Sequence, residues 1–288
     1  MKKMTKLLAL LIAALLLTTA QAEDGGWEDE WLFVDVNPSE LVAADDGEAW
    51  DFPVAIEDMQ PDLICLVNKS MFLDKAFKPS GLVTMKKLKL DKDGNNTNGG
   101  VRQVDDTWQL RKECGEALVA LCDAARLVGH ELYLKSGYRS WKTQAYMYEN
   151  RIKKYGYDDG WVTKPGASDH QTGLGCDVVP KKWTDRGMNE DMAKEPETQW
   201  MAENCAQFGF ILRYPKDKEA ITEINYEPWH LRYVGVPVAT YIMENGLCLE
   251  EFYDQLLAAI EDYLAAGGDE SLVKGFIQES AKDHYSRY

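Results

Sequence analysis

The chain has no C-x-x-C pair among its six cysteines and only four histidines in 288 residues. The first absence excludes a cysteine-built zinc knuckle or ribbon, whose ligands arrive in such pairs. Between Lys6 and Lys69 there is no lysine or arginine, while residues 23–62 hold fourteen acids. After residue 22 no apolar run approaches the roughly 20 residues that span a bilayer, so no integral membrane span is expected once a leader is removed. Clustered Lys and Arg of the kind that displace counterions from nucleic acid are missing too, and the net charge is −16. No nucleic-acid partner is expected.

What is present begins with a leader. Lys2, Lys3 and Lys6 precede an apolar run from Leu7 to Leu17, and Ala20-Gln21-Ala22 offers a small-x-small cleavage site. This pattern predicts a signal peptide over 1–22 and an exported protein, extracellular or in the cell envelope or periplasm. Those three lysines are the leader's only charges, so the mature chain carries −19. An acidic lead-in over 23–62 is expected next, then a core domain over 63–247 and a C-terminal helical segment over 248–288. Export permits disulfides. Cys114 and Cys122, however, lie eight residues apart on one expected helix, about 12 Å, too far to bridge. The pairing of the six cysteines stays open.

Periodicity supplies the elements. Leu63 to Val67 reads as a short buried strand, and Asp106 to Leu127 as a helix. Glu131–Lys135 alternates like a half-buried strand. A helix is expected from Ser140, as N-cap, to Tyr155. Another strand ends at Val178 and Val179. Glu197–Phe208 reads as a helix closed by Gly209. Phe210–Leu212 and Trp229–Val234 read as strands, and Leu249–Leu264 as a helix stopped at Gly267 and Gly268. The expected class is α+β, with helices flanking a small, mostly antiparallel sheet.

Two histidines stand in conspicuous contexts. In Ser168-Asp-His-Gln-Thr-Gly-Leu-Gly-Cys-Asp177, His170 and Asp177 are separated by Gly173 and Gly175. Those glycines permit a sharp fold or a close approach that aims an imidazole and a carboxylate at one place. In Glu227-Pro-Trp-His230, an acid lies three residues before a histidine. Two imidazoles and one carboxylate suit a catalytic zinc that keeps a position for water. A separate carboxylate must then move the proton, and Glu227 is the candidate base. Arg139, brought to a strand end by Gly137, is the candidate donor to a developing oxyanion. Each piece alone is weak, since such short patterns recur in unrelated folds. His130, in a helix–strand connection, and His284, in a polar tail, are given no role.

The signal becomes specific when the blocks are taken in order. Leu66-Val-Asn-Lys69, Ser136-Gly-Tyr-Arg-Ser140 with Gln144, Pro165-Gly166, the Ser168–Asp177 segment, Phe208–Pro215 and Glu227–Gly235 follow one another. Over roughly residues 63–253 the chain resembles the D-alanyl-D-alanine carboxypeptidases of the VanY type. These belong to a wider group that includes VanX dipeptidases and the hedgehog signalling domain. The resemblance implies a hedgehog/DD-peptidase-like fold and one zinc per chain, held by His170, Asp177 and His230. It implies Glu227 as general base and Arg139 as carbonyl or oxyanion stabiliser. Ser168, Gln144 and Tyr214 match positions lining the pocket for the terminal residue and its carboxylate. Arg232 is a candidate to orient Glu227 or Asp177 from behind. The chain departs from the family in having Gly175, followed by Cys176, where alanine is usual two residues before the ligand aspartate. Cys176 is read as core, facing away from the site.

The resemblance implies removal of the terminal D-Ala from peptidoglycan stem peptides by a monomeric enzyme. LD-carboxypeptidase or D-Ala-D-Ala dipeptidase action on the same scaffold is the alternative. From another class comes a zinc-stabilised binding module without turnover, which would have no need for Glu227 and Arg139 together.

Overall fold

The computed structural model describes residues 50–282. The expected leader, the lead-in up to residue 49 and His284 lie outside the described residues. Strand β1 (Leu82–Thr84) is followed by β2 (Arg102–Gln103), β3 (Gln109–Arg111), helix α1 (Lys112–Leu127), β4 (Leu132–Ser136) and α2 (Trp141–Tyr155). Then come β5 (Gly175–Pro180), α3 (Pro196–Asn204), β6 (Phe210–Leu212), the short α4 (Glu219–Thr222) and β7 (His230–Tyr233). The chain continues through α5 (Val236–Glu244), α6 (Leu249–Ala265) and the short α7 (Glu270–Val273). Five strands form the main sheet in the order β2-β4-β5-β7-β6, in which only β2 and β4 run parallel. The class is the α+β arrangement that the sequence predicts.

Burial explains the order. All six residues of β5 are buried, as a central strand requires, whereas β4 alternates buried and half-buried. Helix α1 presses Cys114, Leu118, Leu121 and Ala125 into the core, each fully buried at helical spacing. Each of its two buried leucines contributes about 2 kcal/mol of apolar burial. Helix α2 starts where Ser140 Oγ accepts the Thr143 amide at 3.2 Å. It stops at Gly156, whose φ of 84° needs no Cβ to be accommodated. Helix α6 lays Phe252, Leu256 and Ile260 on the same core. Trp50 and Phe52, from the acidic segment, make edge contacts with Tyr263 and with Phe252 and Tyr241.

Three elements differ from expectation. Leu63–Val67 is not a strand: it is buried as turn and loop, because its carbonyls are claimed by side chains rather than by a sheet partner. Arg232 Nη2 donates to the Leu63 and Cys65 carbonyls at 2.8 and 2.9 Å, and Arg213 Nη2 to that of Val67 at 3.1 Å. The predicted helix over 106–127 starts only at Lys112, since Gln109–Arg111 pairs antiparallel with Leu82–Thr84. The helix expected over 197–208 tightens into a 3-10 turn over Cys205–Phe208 before Gly209 closes it.

Candidate metal centre

Strands β5 and β7 set the site. Asp177 lies directly opposite His230 in their antiparallel register, so both side chains leave the same face. Ser136, at the end of β4 and past a register shift, also faces Asp177. His170 arrives from a 3-10 turn, Asp169–Thr172, that ends at Gly173 with φ 73°. That turn is pressed onto β5 at Gly175, where an added Cβ would stand 2.9 Å from the Asp169 Cβ and 3.0 Å from its carbonyl carbon. The two glycines thus divide the work: one supplies the left-handed backbone, the other the close approach. Substituting Gly175→Ala is therefore expected to push turn and strand apart and lower stability by about 1–3 kcal/mol, read as a lower denaturation midpoint. Cys176, between Gly175 and Asp177, is fully buried in the opposite, core-facing direction.

The convergence is close. Asp177 Oδ1 lies 3.4 Å from His170 Nε2 and 3.4 Å from His230 Nδ1. It is buried and makes no hydrogen bond. The ligand atoms of these three residues all fall within 4.8 Å of one another. Gly137 O sits 2.7 Å from His170 Nδ1; a carbonyl only accepts, so Nδ1 carries the proton and Nε2 presents its lone pair to the cluster. A buried acceptor without a donor, facing two imidazoles, suits a divalent cation, and this donor set suits zinc.

The electrostatics agree. Burial by itself raises the Asp177 carboxyl, yet His170 and His230 hold it far below the usual carboxylate range. Burial, reinforced by Arg139, lowers the pKa of His170. Burial opposes charge on His230 as well, but Asp177 and Glu227 outweigh it and bring that imidazole up to about 9. The two carboxylates recruit positive charge to this point, a demand that a bound cation meets.

Glu227 stands beside the three rather than among them, with Oε2 3.4 Å from His230 Nδ1. Burial raises its pKa, against the pull of His230. Arg139 is nearly enclosed, with Nη2 3.9 Å from Asp177 Oδ2 and 3.3 Å from Ser136 Oγ. Its Nη1 donates to Gln144 Oε1 at 2.9 Å, and Gln144 Nε2 in turn donates to the Thr163 carbonyl at 2.7 Å. Gln144 both lines the cavity and fixes the arginine. Tyr214 is buried, its ring 4.9 Å from that of His230, and burial pushes its phenol well up. Ser168 is buried without making a helix-cap hydrogen bond. Apart from Ser136, these side chains line one cavity of about 400 Å³. The structure therefore brings the three candidate ligands, Glu227, Arg139, Ser168, Gln144 and Tyr214 to one place. His130 lies elsewhere, beside Trp200.

Arg232 does not do what was expected of it. It touches neither Glu227 nor Asp177; it pairs through Nη1 with Asp169. Asp169 also accepts from Arg213 Nε at 2.7 Å, and Arg213 forks onto Glu250 at 2.7 and 2.8 Å. The sequence leaves Asp169 without a role, although its place between Ser168 and His170 was the available signal. Removing the Arg139 guanidinium is expected to slow turnover about 10²–10³-fold, as loss of one oxyanion donor does, with zinc content unchanged. A rate within twofold of the parent for Arg139→Ala, measured by product release, would take it out of the chemistry.

A family model for VanY, D-alanyl-D-alanine carboxypeptidase, matches residues 107–236. Bacillus subtilis YodJ is 36% identical over 197 residues, 68% of each chain. Among solved structures, the LdcB LD-carboxypeptidase is 36% identical with a TM-score of 0.57, covering 67% of this chain and 87% of that one. A VanY D,D-pentapeptidase mutant from a VanB-type resistance cassette, determined in complex with Zn(II), is 31% identical with a TM-score of 0.50. That match covers 66% of this chain and 98% of that one. By sequence and by fold, the chain belongs to the VanY family of D-alanyl-D-alanine carboxypeptidases, enzymes built on a zinc peptidase scaffold.

Proposed function

We propose that this protein is an exported, monomeric DD-carboxypeptidase that removes the terminal D-Ala from peptidoglycan stem peptides with one zinc per chain. The observation that carries the reading is the three-way approach on Asp177 Oδ1, with Glu227 and Arg139 at its margin. His170, Asp177 and His230 hold the metal. A zinc held there would supply Lewis acidity to the scissile carbonyl and would bring the pKa of water at the site to about 7. Glu227 takes the proton of the attacking water and passes it to the leaving amine; its raised pKa suits both directions of transfer. Arg139, held by Gln144, donates to the oxygen that gains charge. Ser168 and Tyr214 close the pocket around the terminal residue, with Gln144 on the same wall.

The rival reading within the class is LD-carboxypeptidase action, and it is favoured by one specific finding, the likeness to LdcB. The test is direct. The mature protein is incubated with pentapeptide and tetrapeptide stems, product masses are identified, and zinc is counted per chain. Loss of one alanine from the pentapeptide at a one-to-one zinc ratio is expected. Trimming of the tetrapeptide alone would establish the LD reading instead. Metal-replete protein that leaves both peptides intact would leave a binding module.

A further inference from the structure

Beside the metal cavity lies a second one of about 440 Å³, and Asn189 lines both. Three cations border the second cavity. Lys182 Nζ is 2.6 Å from Glu195 Oε1, and Lys194 Nζ is 2.6 Å from Asp191 Oδ1, so both are neutralised. Arg186 comes within ion-pair distance of no described carboxylate and reaches Glu195 only through its longer-range charge. Its guanidinium lies over the Trp183 ring, 3.9 Å from the centroid. Trp183 is itself fixed: it is buried with Val179, Met192 and Trp229, and its indole N–H donates to Glu195 Oε1 at 3.1 Å. The backbone beneath is pinned by Lys135 Nζ, which donates to the Trp183 carbonyl at 2.6 Å and to that of Arg186. Met188, two residues on, lines the metal cavity, and two residues of chain span at most about 7 Å. Of the two arginines that line the metal cavity, Arg139 is held by Gln144 and Arg151 is engaged by Asp159 at 2.6–3.0 Å.

We propose that Arg186, stacked on Trp183, is a receptor for a carboxylate that the stem peptide carries upstream of the bond being cut. This rests on the stem-peptide reading above. A guanidinium whose position is already set by stacking loses little freedom when it takes an anion, and its planar fork matches a carboxylate in two hydrogen bonds. In a chain of net charge −16, an exposed arginine within no ion-pair distance of a described carboxylate, on a cavity that shares Asn189 with the metal cavity, is the feature that an acidic substrate rewards. In a stem peptide, γ-linked D-glutamate leaves its α-carboxylate free, and amidation removes that charge. Diaminopimelate at the next position carries a carboxylate of its own.

The experiment measures dissociation constants by titration calorimetry on zinc-loaded Glu227→Ala protein, which keeps the peptides whole, with and without Arg186→Glu. Four peptides are used: acetyl-L-Lys-D-Ala-D-Ala; the pentapeptide with free γ-D-glutamate; its amidated form; and an amidated form with diaminopimelate in place of lysine. Arg186→Glu is expected to weaken the free-glutamate pentapeptide about three- to tenfold, the scale of a partly exposed charge pair. The tripeptide and the amidated lysine peptide should stay within twofold. Selective weakening of the diaminopimelate peptide instead supports the receptor and assigns the carboxylate to that residue. Equal weakening of all four, or of none, overturns the proposal, as does failure of every peptide to bind. Turnover of the same peptides by the parent protein tests the carboxypeptidase reading separately. A parent that binds through Arg186 but cuts nothing would sink that reading and leave the receptor standing.

Discussion

Glu227→Ala is expected to cut turnover by about 10²–10⁴-fold while zinc stays bound, whereas His170→Ala and His230→Ala should lose turnover and zinc together. The contrast follows from position. The three ligand atoms that cluster within 4.8 Å belong to His170, Asp177 and His230, and Glu227 lies outside that set. Its carboxylate nonetheless reaches 3.4 Å from His230 Nδ1, close enough to be mistaken for a ligand. Zinc content measured by atomic absorption on each variant, beside the rate of D-Ala release, separates base from ligand. Metal loss in Glu227→Ala would reverse the assignment. Retained metal with an unchanged rate would leave the proton without a carrier, since Asp177 is held far below the carboxylate range and is no proton acceptor near neutral pH. The magnitude is set by what remains. Arg139 and the enclosed pocket persist in the variant, so part of the rate acceleration should survive.

The site could be read from the sequence because its chemistry is concentrated in two short segments. Ser168–Asp177 and Glu227–His230 contain the three clustered side chains and the acid beside them, and the glycines between His170 and Asp177 announced a fold-back. Strand β4, helix α2 and its Ser140 cap were equally legible, since alternation and capping are local properties. Long-range claims on the backbone were not. Leu63–Val67 has the composition of a buried strand, but whether its carbonyls meet a strand or an arginine is decided by Arg213 and Arg232, well over a hundred residues away. For the same reason Gln109–Arg111 hid inside a helical pattern: its partner, Leu82–Thr84, lies across a polar loop. The sequence points Arg232 toward Glu227 or Asp177, the acids of the two conspicuous segments, because nothing local marks Asp169 as its partner. The actual partner, Asp169, is 63 residues distant.

Removing the Asp169 carboxylate should cost more stability than any other single change considered, about 3–5 kcal/mol for Asp169→Ala. Asp169, Arg213 and Arg232 are each fully buried, and Glu250 nearly so. Together the four are neutral. Burial by itself raises the Asp169 carboxyl, but Arg232 and Arg213 more than offset this and hold its pKa low. Its contribution is therefore present above the ordinary carboxylate range and is lost as pH falls through the lower folded value. Without Asp169, Arg213 keeps its two bonds to Glu250. Arg232 keeps only carbonyls and the Cys65 thiol among the described residues, so one buried charge is left uncompensated. For a domain of this size the loss corresponds to a Tm lower by about 6–20 °C. The cost is that of a stranded cation, not of a lost attraction. Removing both charges, as in Asp169→Leu with Arg232→Met, should accordingly restore part of what Asp169→Leu alone takes away. Thermal melts of the parent, the two single variants and the double variant close the cycle. A double variant at least as unstable as the sum of the singles would show that the pair matters through the loop carbonyls that Arg232 holds rather than through charge balance.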